Sequence, residues 1–432
     1  MTRAAQVIVV GGGPGGASTA WQLATLGLDV LVLDRARFPR DKTCAECLSP
    51  QASRILATMG ALEAVEAEAA RLTGMLVRAP SGDVIHGEYA AAHGFRGFRD
   101  RCLAIRRRTL DAILVERARM AGARVHEGAR VVDVLRAHGT RGRATGVRVL
   151  DADGATRDLH AALVVGADGL RSVVARRLSL GARLPWPRRL AFQCHVRGLP
   201  GVGLLGEMHV ERDGFVGIAD VGGGVTNVAM VAPAGVARRG LAAHGSPAKF
   251  MEAWLSRAPQ LAPRFAQAMR VSPVRATGPF ASHARRAHAP GAALVGDAAD
   301  FFDPFTGEGM YSALRGGELL APFAAEAARL LDAAHADERR AARALAAYDA
   351  ARRREFRGKW TVERLIALSV AHPMLVNRAA RALSRRRDLA DLLVGVAGDI
   401  VPPATVLNAR YLWELFGVRA DGTAARATTF QG

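Results

Sequence analysis

The sequence has few cysteines, few aromatic residues and almost no lysine. Four cysteines in 432 residues are too few for a disulfide framework, so we expect a protein of a reducing compartment, the cytoplasm. Aromatic residues make up 6% of the chain, and no basic module studded with aromatics occurs, which argues against a nucleic-acid partner. No uncharged run is long and unbroken enough for a membrane span, and the apolar run at residues 7–10 is too short for a signal peptide.

The charge of the chain is strongly positive and comes from arginine. The formal net charge is +19, from 59 basic and 40 acidic residues, and only Lys42, Lys249 and Lys359 are lysines. Residues 339–387 hold thirteen arginines and one lysine against three acids, with apolar residues between them. This segment predicts either a peripheral contact with an anionic membrane or, as the favoured alternative, a helical cap with a solvated arginine face.

The first 34 residues have the pattern of a dinucleotide-binding βαβ unit. A β-branched run precedes Gly11, Gly13 and Gly16, which satisfy G-x-G-x-x-G, and a helical segment follows. The first glycine permits a tight turn, the second allows a pyrophosphate to approach, and the third lets the helix pack on the strand. Asp34 ends the next strand, where its carboxylate can accept a hydrogen bond from a ribose hydroxyl. The unit by itself leaves NAD and FAD open.

Four later segments resemble motifs of the FAD-dependent oxidoreductases that include aromatic hydroxylases, flavin halogenases and geranylgeranyl reductases. They are residues 38–50, which resemble the geranylgeranyl reductase-like branch, and residues 107–111, 166–172 and 296–309. The resemblance implies FAD as the cofactor, with a helix start near residue 309 directed at the flavin. Together with the glycine turn, it predicts cofactor contacts by Gly11, Gly13, Pro14, Gly15, Gly16, Asp34, Arg35, Arg40, Lys42, Cys44, Arg107, Asp168, Gly296, Asp297, Pro304, Gly307, Glu308 and Gly309.

Two of these contacts have alternatives that the sequence leaves open. Arg107 is one of three neighbouring arginines, so it is either a cofactor contact or simply part of a basic helix start. Asp168 follows a buried strand, and it can either hold a ribose or shape the loop around a pyrophosphate.

The predicted fold is α/β, with a Rossmann-type FAD-binding domain, an inserted antiparallel β substrate domain and C-terminal helices. We expect the FAD-binding domain to be discontinuous, because the family motifs are separated by segments of short strands and glycine turns. The predicted ranges are 1–75, 101–180 and 285–331 for the FAD-binding domain, 76–100 and 181–284 for the substrate domain, and 332–432 for the helical region.

The substrate domain predicts a pocket for a lipophilic or aromatic small molecule. Phe192, Met208, Phe215 and Phe280 are expected to line it. The chain lacks the W-x-W-x-I-P segment of the halogenases. It also lacks the Y-x-W-x-F-P strand usual in geranylgeranyl reductases, and residues 214–220 stand in that place.

These features favour a monooxygenase that uses FAD, O2 and transiently bound NADH or NADPH to oxidise an aromatic, quinol or polyketide-like molecule. The sequence has no second G-x-G-x-x-G, so it predicts no separate nicotinamide domain. The first alternative is a reductase of isoprenoid double bonds, and the second is a membrane-associated electron-transfer flavoprotein. No catalytic side chain is assigned, since His195, His209 and His283 are expected to be structural or surface histidines.

Cys44 and Cys47 form a C-x-x-C pattern with two interpretations. A zinc site needs a second pair of ligands, and Cys102 and Cys194 are isolated in the sequence, so we expect no metal. The pair is either redox-active or, as the favoured interpretation, two loop cysteines that line the flavin pocket.

Overall fold

The computed structural model describes residues 3–90, 93–137, 142–151 and 153–416. The strands, in chain order, are β1 Ala5–Val10, β2 Val30–Asp34, β3 Cys47–Leu48, β4 Ala70–Leu72, β5 Gly74–Arg78, β6 Val84–Glu88, β7 Cys102–Ala104, β8 Arg124–Glu127, β9 Arg130–Arg136, β10 Ala144–Leu150, β11 Thr156–Gly166, β12 Gly181–Arg183, β13 Arg189–Arg197, β14 Leu205–Glu211, β15 Gly214–Asp220, β16 Thr226–Pro233, β17 Met269–Arg270, β18 Arg275–Thr277, β19 Ser282–Ala284, β20 His288–Ala289, β21 Ala292–Leu294 and β22 Asp300–Phe301. The helices are α1 Pro14–Thr25, α2 Ala52–Thr58, α3 Leu62–Glu68, α4 Arg107–Met120, α5 Val173–Arg177, α6 Ala234–His244, α7 Pro247–Leu255, α8 Ala262–Phe265, α9 Gly309–Asp332, α10 Glu338–Ala371, α11 Pro373–Arg385, α12 Arg387–Ala397 and α13 Ala409–Phe416.

The first large sheet is built around the β-branched strand β1. It is eight-stranded, with the order β20-β21-β11-β1-β2-β8, and β10 and β9 continue from β11. β1 pairs in parallel with β2 and with β11, and β11 pairs in parallel with β21. Val7, Ile8 and Val9 are fully buried, as expected for a parallel sheet with both faces covered. The sheet confirms the predicted Rossmann-type α/β class, and the glycine turn lies at the carboxyl end of β1, where such sheets bind ligands.

The second large sheet has the order β17-β13-β16-β15-β14-β5-β6, with β18 beside β13. Most neighbours in it are antiparallel, as predicted, but β14 pairs with β5 in parallel. This difference arises because β5 comes from a much earlier part of the chain and enters the sheet beside β14 rather than through a hairpin. The sequence-based domain boundaries stay a prediction.

The C-terminal helices pack against the second sheet. At their interface, Ile85 of β6 belongs to the same buried apolar cluster as Ala380 of α11 and Leu389 of α12. Acids elsewhere in the fold offset part of the basic charge of residues 339–387, as in the ion pair between Arg387 and Glu88 at 2.6 Å. Within the described residues, no helix has the length and apolar character needed to cross a bilayer. Residues 417–432 lie outside the described part of the chain.

Candidate functional site

A cavity of about 840 Å³ lies where the first sheet meets the second. It brings together segments that are as much as 300 residues apart in the sequence. The predicted site residues that line it are Gly11, Gly13, Pro14, Gly15, Asp34, Arg35, Arg40, Lys42, Cys44, Arg107, Asp168, Met208, Phe215, Phe280, Gly296, Asp297, Pro304, Gly307, Glu308 and Gly309. Gly16 and Phe192 are the two predicted residues that do not line it.

The glycine turn makes one wall of the cavity through close backbone contacts. Gly11 has a φ of +99°, and a Cβ there would lie 2.5 Å from the Ala167 carbonyl oxygen. A Cβ at Gly16 would lie 1.8 Å from the Gly11 oxygen, so Gly16 serves helix–strand packing rather than the cavity surface. Gly13 faces open space bounded by the guanidinium groups of Arg40 and Arg107, at 3.6 and 3.8 Å from a Cβ built there. The start of α1 therefore has room for an anionic group beside two cations.

Asp34 shapes the chain at the end of β2. Its two carboxylate oxygens accept hydrogen bonds from the Gly12 N–H at 2.7 Å and from the Ala36 N–H at 2.8 Å. The side chain is 7% exposed and lines the cavity. Each carboxylate oxygen keeps a second lone pair, so the group can still accept a hydrogen bond from a ribose hydroxyl.

The cations at the cavity are held by Asp111, a fully buried carboxylate on α4. Arg107 donates to both of its oxygens at 2.8 Å, and Arg40 pairs with it at 2.8 Å. Lys42 also lines the cavity, where burial lowers its pKa and Asp297 opposes that shift. One acid thus positions two guanidinium groups. Arg107 is both the start of a helix and part of the cavity wall.

Two buried acids, Asp168 and Asp297, face the cavity with different surroundings. Asp168 accepts a hydrogen bond from the Val173 N–H at 2.6 Å, which ties it to the start of α5. Its other oxygen is buried without a hydrogen-bond partner among the described residues. Burial raises the pKa of both acids, and Lys42 and Arg107 oppose this for Asp297. Asp168 shapes its loop and keeps one acceptor oxygen for a bound molecule.

These residues fit FAD. The open space at Gly13 between two guanidinium groups suits a pyrophosphate, Asp34 suits a ribose, and Asp168 offers an unsatisfied acceptor. The start of α9 at Gly309 lines the far part of the same cavity, where a helix N-terminus favours the negative charge of a reduced flavin.

The apolar end of the cavity is formed by the second sheet. Met208, Phe215 and Phe280 line it, as predicted. The prediction for Phe192 is wrong, because neighbouring side chains of a strand point to opposite faces. Ala191 and Gln193 face the cavity, and the Phe192 ring packs behind the sheet at 5.2 Å from the Phe250 ring.

The two cysteines of the C-x-x-C pattern have different surroundings. Cys44 lines the cavity, and burial raises the pKa of its thiol. Cys47 does not line it, so the prediction of two pocket cysteines is wrong for this residue. Cys47 instead lies beside Cys102, whose hydrogen bond lowers the pKa of Cys47, because β3 pairs with β7. All four cysteines, with Cys194 buried, are free thiols.

The histidines named in the sequence do not reach the cavity. His195 is 3% exposed, and its Nε2 lies 2.7 Å from the Glu46 carboxylate. His209 pairs with Glu207 at 2.7 Å, and His283 pairs with Asp300. Each of the three is held by a neighbouring carboxylate, and among the described lining residues there is no histidine.

Lys359, which no sequence motif indicated, links the C-terminal helices to the cavity. Its ammonium lies 2.6 Å from the carboxylate of Glu308, the cavity residue just before α9, and it also pairs with Asp399. All three side chains are at least 90% buried. The rarity of lysine in this arginine-rich chain could have indicated this residue, since two of the three lysines, Lys42 and Lys359, lie at this site. A compact ammonium fits there where a planar guanidinium would need more room.

Comparisons with known proteins agree with this geometry. A family model described as an FAD binding domain matches residues 4–190. The chain is 30% identical over 333 residues to digeranylgeranylglycerophospholipid reductase 2 of Methanopyrus kandleri. The alignment covers 74% of this chain and 77% of the relative. It is 29% identical over 339 residues to menaquinone reductase of Mycolicibacterium smegmatis, which covers 74% and 76%.

A solved structure shares the fold. The myxobacterial chondrochloren halogenase CndH, an FAD-dependent halogenase, superposes with a TM-score of 0.74 at 23% identity over 85% of this chain and 83% of that chain. At this identity the likeness concerns the fold alone.

Proposed function

Because the chain belongs to the family of FAD-dependent oxidoreductases that includes the digeranylgeranylglycerophospholipid reductases, we propose that it reduces a double bond of an isoprenoid lipid. NADH or NADPH is the proposed source of electrons. This choice departs from the monooxygenase that the sequence favoured. It is supported by the reductase relatives, which align over about three quarters of the chain.

The observation that carries the proposal is the character of the apolar end of the cavity. Met208, Phe215 and Phe280 provide a surface for a hydrocarbon chain, and the thiol of Cys44 lines the same cavity. Asp303 also lines it, but its carboxylate is held by Arg189 at 2.7 Å and by the Phe305 N–H at 3.1 Å. Such a wall suits an apolar substrate and a neutral proton donor.

Saturation of a double bond requires a hydride on one carbon and a proton on the other. The hydride would come from FAD, once bound in the cavity and reduced. Burial raises the pKa of Cys44, so its thiol is protonated at neutral pH and can donate the proton. The resulting thiolate is stabilised by Arg107 until it regains a proton from solvent. The product then carries two more hydrogen atoms than the substrate.

The test is turnover of the FAD-loaded protein without O2. The protein is reduced by dithionite under strict anaerobiosis and incubated with a geranylgeranylated glycerophospholipid, and the product is examined by mass spectrometry. We expect a gain of two mass units for each saturated bond in H2O. In D2O we expect two deuterium atoms per bond, because dithionite supplies only electrons and both added hydrogens then come from solvent. Unchanged lipid in all anaerobic reactions would count against the proposal.

A pair of cysteine variants tests the proton donor. Cys44→Ala should lower the rate by about a hundredfold, which is the usual size of a general-acid contribution. Cys194→Ala is the matched control, because Cys194 is buried behind the second sheet. Both variants should retain FAD. Equal rates for the two would show that the thiol of Cys44 is not the donor.

Monooxygenation is the second candidate, and one observation favours it. β15, Gly214–Asp220, lacks the tryptophan and the Phe-Pro of the reductase motif. Oxidation of an aromatic or quinol ring would then need O2, and it would add 16 mass units rather than two. O2 consumption that depends on an aromatic substrate, with no anaerobic product, would favour this candidate over the reductase.

A peripheral membrane contact is the proposed route to a lipid substrate. Leu368, Met374 and Leu375 lie near the junction of α10 and α11, and Met374 is 85% exposed. Arginines of the same segment would attract anionic lipids. Met374→Ser with Leu375→Ser should lower co-sedimentation with phosphatidylglycerol vesicles severalfold. Met120→Ser is the control, since Met120 is 68% exposed on α4, and equal binding by all variants would count against this contact.

A further inference from the structure

A second cavity, of about 580 Å³, adjoins the apolar end of the cofactor cavity. Phe215 lines both cavities, and Pro279 of the second directly precedes Phe280 of the first. Trp186, which is 43% exposed, and Val370 near the end of α10 add further apolar surface. A molecule that occupied both cavities would pass along the Phe215 ring.

Three exposed arginines, Arg188, Arg212 and Arg238, line this second cavity. Within the described ranges, none of the three has an ion pair with a carboxylate, and no carboxylate is among the lining residues. Arg189 lines the cavity too, but it is buried and its charge is balanced by Asp303. Three uncompensated positive charges around one concave surface produce a field that favours an anion.

The start of α6 contributes to the same surface. Pro233, Ala234 and Gly235 line the cavity, and α6 runs for 11 residues from Ala234 to His244. Pro233 at the N-cap makes no side-chain hydrogen bond to the first turn. The Ala234 N–H donates to the Arg188 carbonyl oxygen at 2.8 Å. The next N–H groups of the first turn lack partners within the helix, and the helix dipole places partial positive charge there. We call Arg188, Arg212, Arg238 and this helix start the arginine recess.

We propose that the arginine recess binds the phosphate head group of an amphiphilic lipid substrate whose hydrocarbon chain extends past Phe215 into the cofactor cavity. The head group is recognised by guanidinium groups, which match phosphate oxygens in pairs, and by the helix start. The proposal rests on the proposed function in one respect, namely that the substrate is a lipid. It adds that this lipid carries a negative head group and that the head group sets which double bond reaches the flavin.

The experiment measures binding to the FAD-loaded full chain without turnover. Geranylgeranyl phosphate, geranylgeraniol and inorganic phosphate are titrated by calorimetry at fixed ionic strength. The variants are Arg212→Gln, Arg238→Gln and the triple variant that also carries Arg188→Gln. Arg257→Gln is the matched control, because Arg257 is exposed just after α7 and does not line the cavity. The flavin absorbance spectrum reports whether each variant is folded.

We expect geranylgeranyl phosphate to bind about a hundredfold more tightly than geranylgeraniol. Each single variant should weaken the phosphate lipid about fivefold, and the triple variant should remove the difference between the two lipids. Arg212→Lys should lose less than Arg212→Gln, because the charge is kept.

Three results would overturn the proposal. The first is equal affinity for both lipids in the unaltered protein, and the second is an equal effect of Arg257→Gln. The third is inorganic phosphate that binds as tightly as the phosphate lipid, which would make the recess a site for a free anion. Binding of the phosphate lipid without reductive turnover would refute the proposed function alone. Anaerobic reduction of uncharged lipids, at a rate that the arginine substitutions do not change, would refute this proposal alone.

Discussion

Replacing Lys359 by methionine should destabilise the protein and weaken FAD binding together. The ammonium lies 2.6 Å from Glu308 and also pairs with Asp399, and the three side chains are 8%, 3% and 7% exposed. Removal of one partner of a buried ion pair leaves an uncompensated charge, which costs about 3–5 kcal/mol of unfolding free energy. Two carboxylates would be left here, so we expect the upper part of this range at pH 7.

The loss for Lys359→Met should depend on pH. Burial raises the pKa of Asp399, and Lys359 opposes that shift. A carboxyl group with a raised folded-state pKa favours the native state at low pH and loses this contribution as the pH rises through that pKa. Without the lysine the pKa rises further, so the deficit should be largest near pH 8 and smaller near pH 5.

Urea unfolding followed by tryptophan fluorescence, at a fixed excess of FAD, measures the effect. Lys249→Met is the control, since Lys249 is exposed on α7, and it should change stability by less than about 0.5 kcal/mol. FAD titration of the apoprotein should show weaker binding for Lys359→Met only, because Glu308 precedes the start of α9 at the cavity. A loss below about 1 kcal/mol at pH 7, or a loss that does not change with pH, would refute the reasoning.

Three further results are expected. Gly16→Ala should lower the free energy of unfolding by more than about 3 kcal/mol, because the added Cβ would meet the Gly11 carbonyl oxygen. Gly13→Ala should keep the stability in urea but weaken FAD binding, and unchanged FAD binding would contradict this expectation. Burial raises the pKa of Glu363 to about 7. The protonated group therefore favours the native state at low pH, and this stabilisation is lost as the pH rises from about 5 to 7. Glu363→Gln should therefore flatten the urea stability profile over that range, and an unchanged profile would argue against a raised pKa for Glu363. Phe192→Ala should cost about 3–5 kcal/mol without changing KM for the lipid, whereas Phe215→Ala should raise KM, and the reverse pattern would contradict the assigned faces.

The cofactor half of the site was predictable because its motifs are local. Gly11, Gly13 and Asp34 act through a turn, a helix start and a strand end that lie within one βαβ unit, so spacing along the chain reports their geometry. The segments at Asp168 and Asp297 follow β11 and β21 of the same sheet, whose carboxyl ends meet at one edge. Each of these positions lines the cavity in the structure.

The substrate half was less predictable because it depends on the side of each strand. Phe192 was expected at the pocket, yet a shift of one position turns its ring to the opposite face of β13. Cys47 was paired with Cys44 by spacing, but the pairing of β3 with β7 brings it to Cys102 instead. Strand faces and partners are set by contacts between distant segments, which local patterns do not encode.

The sequence by itself determined the α/β class, since a nucleotide-binding turn is built from neighbouring residues. The FAD cofactor and the oxidoreductase family followed from the resemblance of four later segments to known motifs. Only the tertiary structure brought Lys359 to Glu308 and placed Arg188, Arg212 and Arg238 around one recess. These groups come from α10, from the residues just before α9 and β13, from the turn between β14 and β15, and from α6. Their proximity results from long-range packing of the C-terminal helices and the second sheet, so a strong charge was visible in the sequence while its position was not.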